Sequence, residues 1–145
     1  MYVEAHPMKI LLVHCDYFSY TTTKKTKFAE EVADECKSCG IKDALVVFAT
    51  VEKSDEKNMD SVLGRGVEEI DTDAKRVGAK RLVIYPFVHL SADVGNPEIA
   101  KILIDALHAK LAAMGYEVRK APFGWEKVFS LTSKGHPLSE SFKTV

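Results

Sequence analysis

Lys80-Arg-Leu-Val-Ile-Tyr-Pro-Phe-Val-His-Leu-Ser-Ala-Asp-Val-Gly-Asn-Pro97 is the stretch that decides how this chain folds. Lys80 to Pro86 is a short apolar run closed by a residue that cannot donate to a ladder, which reads as a buried strand. Asn96-Pro97 reads as a helix start, a side chain that accepts from orphan N–H groups followed by a ring where a missing N–H does no harm. A buried strand that leads through a short loop into a helix is a βα unit, and it predicts an α/β fold.

Working outward, the apolar positions Met59, Val62, Leu63, Val67, Ile70, Ala74 and Val77 recur at helical spacing between Asn58 and Gly78. That pattern outweighs Gly64 and Gly66, each of which costs about 1 kcal/mol relative to Ala. Asp43 to Val51 predicts another strand, and Met8 to Cys15 and Tyr17 to Thr23 predict two more that pair with each other. Lys24 to Cys39 places Phe28, Ala29, Val32, Ala33 and Cys36 on one stripe ahead of Gly40 and predicts a helix, while Met1 to Pro7 reads as a loose leader. Downstream, the helix from Pro97 is expected to bury Ile99, Leu103, Ala106, Leu107, Leu111 and Met114 and to end at Gly115. Tyr116 to Pro122 and Glu126 to Thr132 form a final strand pair around Phe123-Gly124, ahead of a Lys134-Gly-His-Pro137 turn. Helices interleaved with strands, and hairpins at both ends, imply a mixed sheet.

At 145 residues and 46% hydrophobic composition the chain is expected to form a single domain over 1–145, burying roughly two thirds of its unfolded surface. A net charge of -1 with 28% charged residues supplies no global field for a polyanion. The longest apolar runs, such as Leu82 to Val88, are far shorter than the roughly 20 residues of a membrane span. Three cysteines, an odd number, fit a reducing, cytoplasmic setting better than a disulfide framework. The chain carries no Gly-x-Gly-x-x-Gly, Walker loop, Gly-x-Ser-x-Gly or His-Glu-x-x-His motif.

Candidate chemistry gathers in two segments, Tyr85-Pro-Phe-Val-His-Leu-Ser91 and Ala121-Pro-Phe-Gly-Trp-Glu-Lys127, the second continuing to Lys134-Gly-His-Pro-Leu-Ser-Glu140. His89 stands at a strand exit, where α/β proteins place site residues. Lys127 shares a strand face with Phe129 by alternation, so it is either a gatekeeper on an edge strand or a fixed positive charge for substrate. Glu140 is a candidate partner for it. Cys36-Lys-Ser-Cys39 has the spacing of half a zinc site, but the end of a helix works against a thiolate, so no metal is expected.

Met8-Lys-Ile-Leu-Leu-Val-His14 with Asp16-Tyr17, Val51-Glu-Lys53 with Asp55-Glu-Lys-Asn58, and the two segments above together resemble the N-terminal editing domain of archaeal threonyl-tRNA synthetases, a relative of D-aminoacyl-tRNA deacylases. The resemblance spans nearly the whole chain and is weakest in the leader and over Thr21 to Lys42. It implies the D-aminoacyl-tRNA deacylase-like fold, mixed sheets with helices packed on one side, and hydrolysis of the ester joining L-serine to threonine tRNA. Serine is threonine less a methyl, a difference worth only about 1–3 kcal/mol to a synthetic pocket, so a second hydrolytic site is needed.

The resemblance further implies substrate assistance: the ribose 2′-hydroxyl of the terminal adenosine and an ordered water carry the protons, and no cofactor takes part. On this sequence the backbone of Pro86, Phe87 and Val88 would hold the seryl group, Val51 and Phe123 would line the adenosine site, and Lys127 would lie beside the ester with His89 and Glu140 shaping the pocket. Glu126 stands where the family often has tyrosine, and it would either temper Lys127 or point to the other face. The Gly-Pro dipeptide by which D-aminoacyl-tRNA deacylases exclude L-amino acids is absent. Expected partners are serine-charged threonine tRNA, a second copy in a homodimer, and a catalytic synthetase module in cis or in trans. The alternatives are a D-aminoacyl-tRNA deacylase and a non-catalytic dimeric tRNA-binding module.

Overall fold

The computed structural model describes residues 7–145, so the expected leader, apart from Pro7, lies outside the described residues. A single mixed sheet of six strands carries two helices. The elements are β1 (Lys9–Lys25), β2 (Ser38–Thr50), α1 (Met59–Val77), β3 (Arg81–Pro86), α2 (Pro97–Ala113), β4 (Glu117–Lys120), β5 (Trp125–Ser133) and β6 (Glu140–Thr144). The strand order is β4-β3-β2-β1-β5, with β6 also on β1. β2, β3 and β4 run parallel, and β1 is antiparallel to β2, β5 and β6.

The expected hairpin between Met8–Cys15 and Tyr17–Thr23 does not form, because these residues are one continuous strand. No Gly or Asn stands at Cys15-Asp16-Tyr17 to supply the positive φ of a two-residue turn. Asp16 instead makes a bulge, Cys15 pairing with Ser133 and Tyr17 with Thr132. The extra residue inverts the strand's parity, so Val13 and Cys15 before it and Phe18 and Tyr20 after it join one buried cluster. Met8, Ile10 and Leu12 alternate onto the opposite face.

That opposite face is where both helices pack. Leu12, Leu45, Val47, Leu82 and Ile84 meet Ile70 and Ala74 of α1 and Leu103, Leu107 and Leu111 of α2. Gly66 lets α1 lie close, since a Cβ there would come 2.9 Å from the end of Met8 and 3.3 Å from Leu107. α2 starts as expected, the Asn96 side chain accepting from Glu98 N–H at 2.8 Å. Met114, expected in the core, follows the last helical residue and is exposed.

The predicted helix from Lys24 to Cys39 is absent. β1 runs on to Lys25, residues 26–33 form a strap over the turn after β4, and a short 3-10 turn at Asp34–Cys36 leads into β2. The helical stripe in that window coincides with a chain that finds backbone partners elsewhere: Thr26 N–H bonds Gly124 O, and Glu30 N–H bonds Phe123 O, both at 3.0 Å. The expected hairpin around Phe123-Gly124 is likewise not formed; β4 adds to β3 and β5 crosses to β1. β6 is a strand that the sequence pattern does not mark. Its alternating exposure, with Phe142 55% exposed, leaves no buried apolar run to read.

Candidate active site

The parallel strands β2 and β3 point their C-terminal ends at one cavity of about 530 Å³, closed on the other sides by the start of α2 and by β5. The crevice beyond the carboxyl ends of parallel strands is where α/β sheets bind ligands, and the volume falls in the usual range for small-molecule sites. Eight of the nine site residues expected from the sequence line it: Val51, Pro86, Phe87, Val88, His89, Phe123, Glu126 and Lys127. The exception is Glu140. On β1, Lys127 stands opposite Thr22 and Glu140 opposite Val13, and nine residues of extended strand separate these positions by roughly 30 Å. The Lys127–Glu140 pair is therefore not made within the chain.

Lys127 gains different partners. Its ammonium donates to Pro122 O at 2.8 Å and Trp125 O at 2.9 Å, and lies 5.1 Å from the centre of the Tyr85 ring. An ammonium has three protons, so one remains for a bound molecule. Burial pushes its pKa down from 10.5 to about 8, against the opposing pull of the Glu30 carboxylate. Near neutrality it is a largely charged, poorly solvated cation in an apolar recess. Phe129, one pleat along, shares its face, as strand alternation predicts, and packs 5.4 Å from both Phe48 and Tyr85.

The wall formed by the end of β3 is held rigidly. Phe87 N–H donates to Ala49 O at 2.9 Å, and Phe87 O accepts from the Thr50 hydroxyl at 2.7 Å. His89 is exposed at the rim, its ring edge-on to Phe87 at 5.0 Å. The loop beyond is clipped to residues 51–55: Gly95 N–H bonds Val51 O, Lys53 N–H bonds Asp93 O, and the buried Glu52 carboxylate accepts from Ser91 Oγ and Lys9 Nζ. Asp55 completes the clip by accepting from the N–H groups of Met8 and Glu52.

Glu126 also lines the cavity, at the bulge where the β1–β5 register shifts between Thr22 and Lys24. Strict alternation turns it away from Lys127. The extra residue of that bulge is Thr23 on β1, so Glu126 keeps the alternation of β5, and it is exposed at the mouth.

The residues match, from 8 to 145, a model described as the Archaea-specific editing domain of threonyl-tRNA synthetase. The chain belongs to this family. The threonine–tRNA ligase of Methanosphaerula palustris is 47% identical over 139 residues, and those of Methanosphaera stadtmanae and Thermococcus gammatolerans are 43% and 42% identical over 138 and 139. Each match covers 95% of this chain and 22% of the ligase, so the chain spans about a fifth of the length of these relatives.

Sequence reasoning missed several residues of the editing domain's cavity. Thr26 and Phe28 reach it only because the strap is not a helix, and Ala100 and Ile104 only because α2 presents its first turns there. Trp125 also lines the cavity; its ring edge donates to Glu30 O at 2.9 Å, and the Lys25 and Lys37 ammonium groups lie 5.3 and 5.9 Å from the ring centre. The readable signal was Gly124. Its φ is 79°, and a Cβ there would meet Phe28 O at 2.3 Å, so a second chain segment must lie against that turn.

Cys36 is exposed at the end of the 3-10 turn, and Cys39 is half-buried in β2 with its sulfur 3.9 Å from Arg119 Nη1. Among the described residues no three His, Cys, Asp or Glu side chains gather as a metal site, and no helix is long and apolar enough to cross a membrane.

Proposed function

We propose that this domain hydrolyses the ester of L-serine on threonine tRNA, the proofreading step that a synthetic pocket limited to about 1–3 kcal/mol of discrimination requires. The observation that carries the reading is the half-buried Lys127 ammonium, held by two carbonyls in an apolar cavity with one N–H to spare. A fixed cation in a poorly solvated recess stabilises the oxyanion that forms as water attacks an ester carbonyl, and it needs no reorganisation at that moment. The cavity offers no Ser-His-Asp or Cys-His arrangement, which suits the substrate-assisted route that the family resemblance implies, with the ribose 2′-hydroxyl of the terminal adenosine and a water carrying the protons.

In this reading the seryl group lies against the Phe87–Val88 backbone. Phe87 is fixed on both sides and does not yield to the extra methyl of threonine, while Val51 and Phe123 flank the adenosine. His89 borders the ester at the rim, Glu126 tempers the field at the mouth, and Glu140 has no part in the site within one chain. The substrate is delivered by a synthetase module in cis or in trans, which suits a near-neutral domain with little electrostatic pull on tRNA of its own. It works in the cytoplasm, as a homodimer that covers the apolar side chains of β5 and β6, where Val128, Leu131 and Phe142 are exposed.

The deciding assay compares deacylation of L-seryl, L-threonyl and D-seryl esters of threonine tRNA by the purified domain. L-seryl ester is expected to be hydrolysed at least tenfold faster than the other two. Preference for the D-seryl ester would overturn the reading in favour of a D-aminoacyl-tRNA deacylase, and hydrolysis of none of them in favour of a binding module.

A further inference from the structure

We propose that Glu30 is a positioning residue of this site, tying the Ala121–Trp125 turn in place with its side chain and backbone together so that the turn's carbonyls hold the Lys127 ammonium. The inference rests on the reading of Lys127 as the cation at the ester. Glu30 does not line the cavity. It acts through the turn whose carbonyls at Pro122 and Trp125 hold Lys127.

Four groups of this one residue are engaged. Its N–H donates to Phe123 O at 3.0 Å, its carbonyl accepts from Trp125 Nε1 at 2.9 Å, and Oε2 accepts from Phe123 N–H at 3.0 Å. Both carboxylate oxygens lie 3.1 Å from Lys120 Nζ on β4. The Glu30 and Lys120 side chains are each 13% exposed, so this pair is screened far less than a surface one. Phe123, gripped at both its N–H and its carbonyl, stands between the two carbonyls that hold Lys127. A turn without the Glu30 carboxylate would keep its φ-positive Gly124 but lose the fork that sets the angle of both carbonyls.

The electrostatic half of the role follows from what faces Lys127. β3 contributes Tyr85, whose phenol burial pushes up to about 12, and β5 contributes Glu126 at the exposed mouth. The loop after β3 contributes His89 at the rim, while β4 and α2 contribute Lys120, Asp105 and Lys101 behind Glu30. The Glu30 carboxylate is the charge that opposes, at Lys127, the desolvation favouring the neutral amine. Removing it must therefore lower the pH at which Lys127 loses its proton.

The test titrates the Lys127 Nζ by NMR in the isotopically labelled domain, without substrate, and records the pH dependence of seryl-ester hydrolysis in parallel. Glu30→Gln is expected to move the Lys127 midpoint, and the alkaline limb of the rate with it, down by about half a pH unit or more, less than the roughly 1–3 units of an opposite charge in direct contact because Glu30 acts from behind the turn. An unmoved midpoint overturns the inference, and so does a uniform loss of rate with an unmoved limb, which is what a merely structural role produces. If Glu30→Gln does not fold, Glu30→Asp draws the same charge back from the turn and must lower the midpoint too, by a smaller amount; no fall overturns it. The substrate-free titration stands whatever ester the domain hydrolyses, so failure of the functional reading is distinguishable from failure of this one.

Discussion

Replacing Lys127 with Met should make the domain both inactive and more stable at neutral pH. The ammonium's pKa falls from 10.5 to about 8 on folding, and 2.5 units at about 1.36 kcal/mol each is an upper bound of about 3.4 kcal/mol against the folded state. The cavity mouth admits solvent, which reduces this to about 2 kcal/mol. Losing the two hydrogen bonds to Pro122 and Trp125 gives back about 1 kcal/mol. The net gain of about 1 kcal/mol raises the Tm at pH 7 by about 2–4 °C for a domain of this size. The sign follows from linkage: the folded pKa is depressed, so the unfolded chain binds more protons between pH 8 and 10.5 and the wild type recovers stability as pH rises through that window. The advantage of Lys127→Met should thus vanish by about pH 10. Thermal unfolding of both proteins at pH 7 and pH 10, with seryl-tRNA hydrolysis at pH 7, measures all of this. A destabilised variant at pH 7, or a gap that does not change with pH, would refute the desolvated cation; hydrolysis within tenfold of wild type, a barrier change below about 1.4 kcal/mol, would refute its role at the ester.

Removing the Glu52 carboxylate strands the Lys9 ammonium and frees the Ser91 loop, so Glu52→Ala should lower stability by about 3 kcal/mol in urea denaturation. Gly124→Ala places a methyl group onto Phe28 O at a positive φ; the strap should detach, with at least about 2 kcal/mol lost and faster amide exchange at Thr26 and Glu30. Threonine tRNA ending in 2′-deoxyadenosine and charged with serine on its 3′-oxygen should resist hydrolysis by at least a hundredfold in single-turnover kinetics. Normal turnover of that substrate would mean that a protein group, with His89 the nearest in kind, serves as the base.

How far the chain could be read in advance depended on where its partners lay. α1, α2 and β3 carry their instructions locally: a helical apolar stripe over Met59–Val77, Asn96-Pro97 at a cap, and an apolar run ended by Pro86. The eight expected site residues that line the cavity are those that the resemblance implies, and seven of them sit at the exit of β3 or in the Phe123–Lys127 turn, with Val51 just past the end of β2. What failed depends on distant contacts. A bulge at Asp16 looks like a turn until β5 arrives to pair on both sides of it. The Lys24–Cys39 stripe looks like a helix until Phe123 and Gly124 claim its backbone. Glu140 looks like a partner for Lys127 until β6 is seen to pair with the other half of β1.

The most direct test is a crystal structure of the domain with a non-hydrolysable seryl-adenosine amide. The amide carbonyl is expected within hydrogen-bond distance of Lys127 Nζ, with the seryl group on the Phe87–Val88 backbone and adenine between Val51 and Phe123. An analogue bound with its carbonyl away from Lys127, or outside this cavity, would contradict the proposed chemistry.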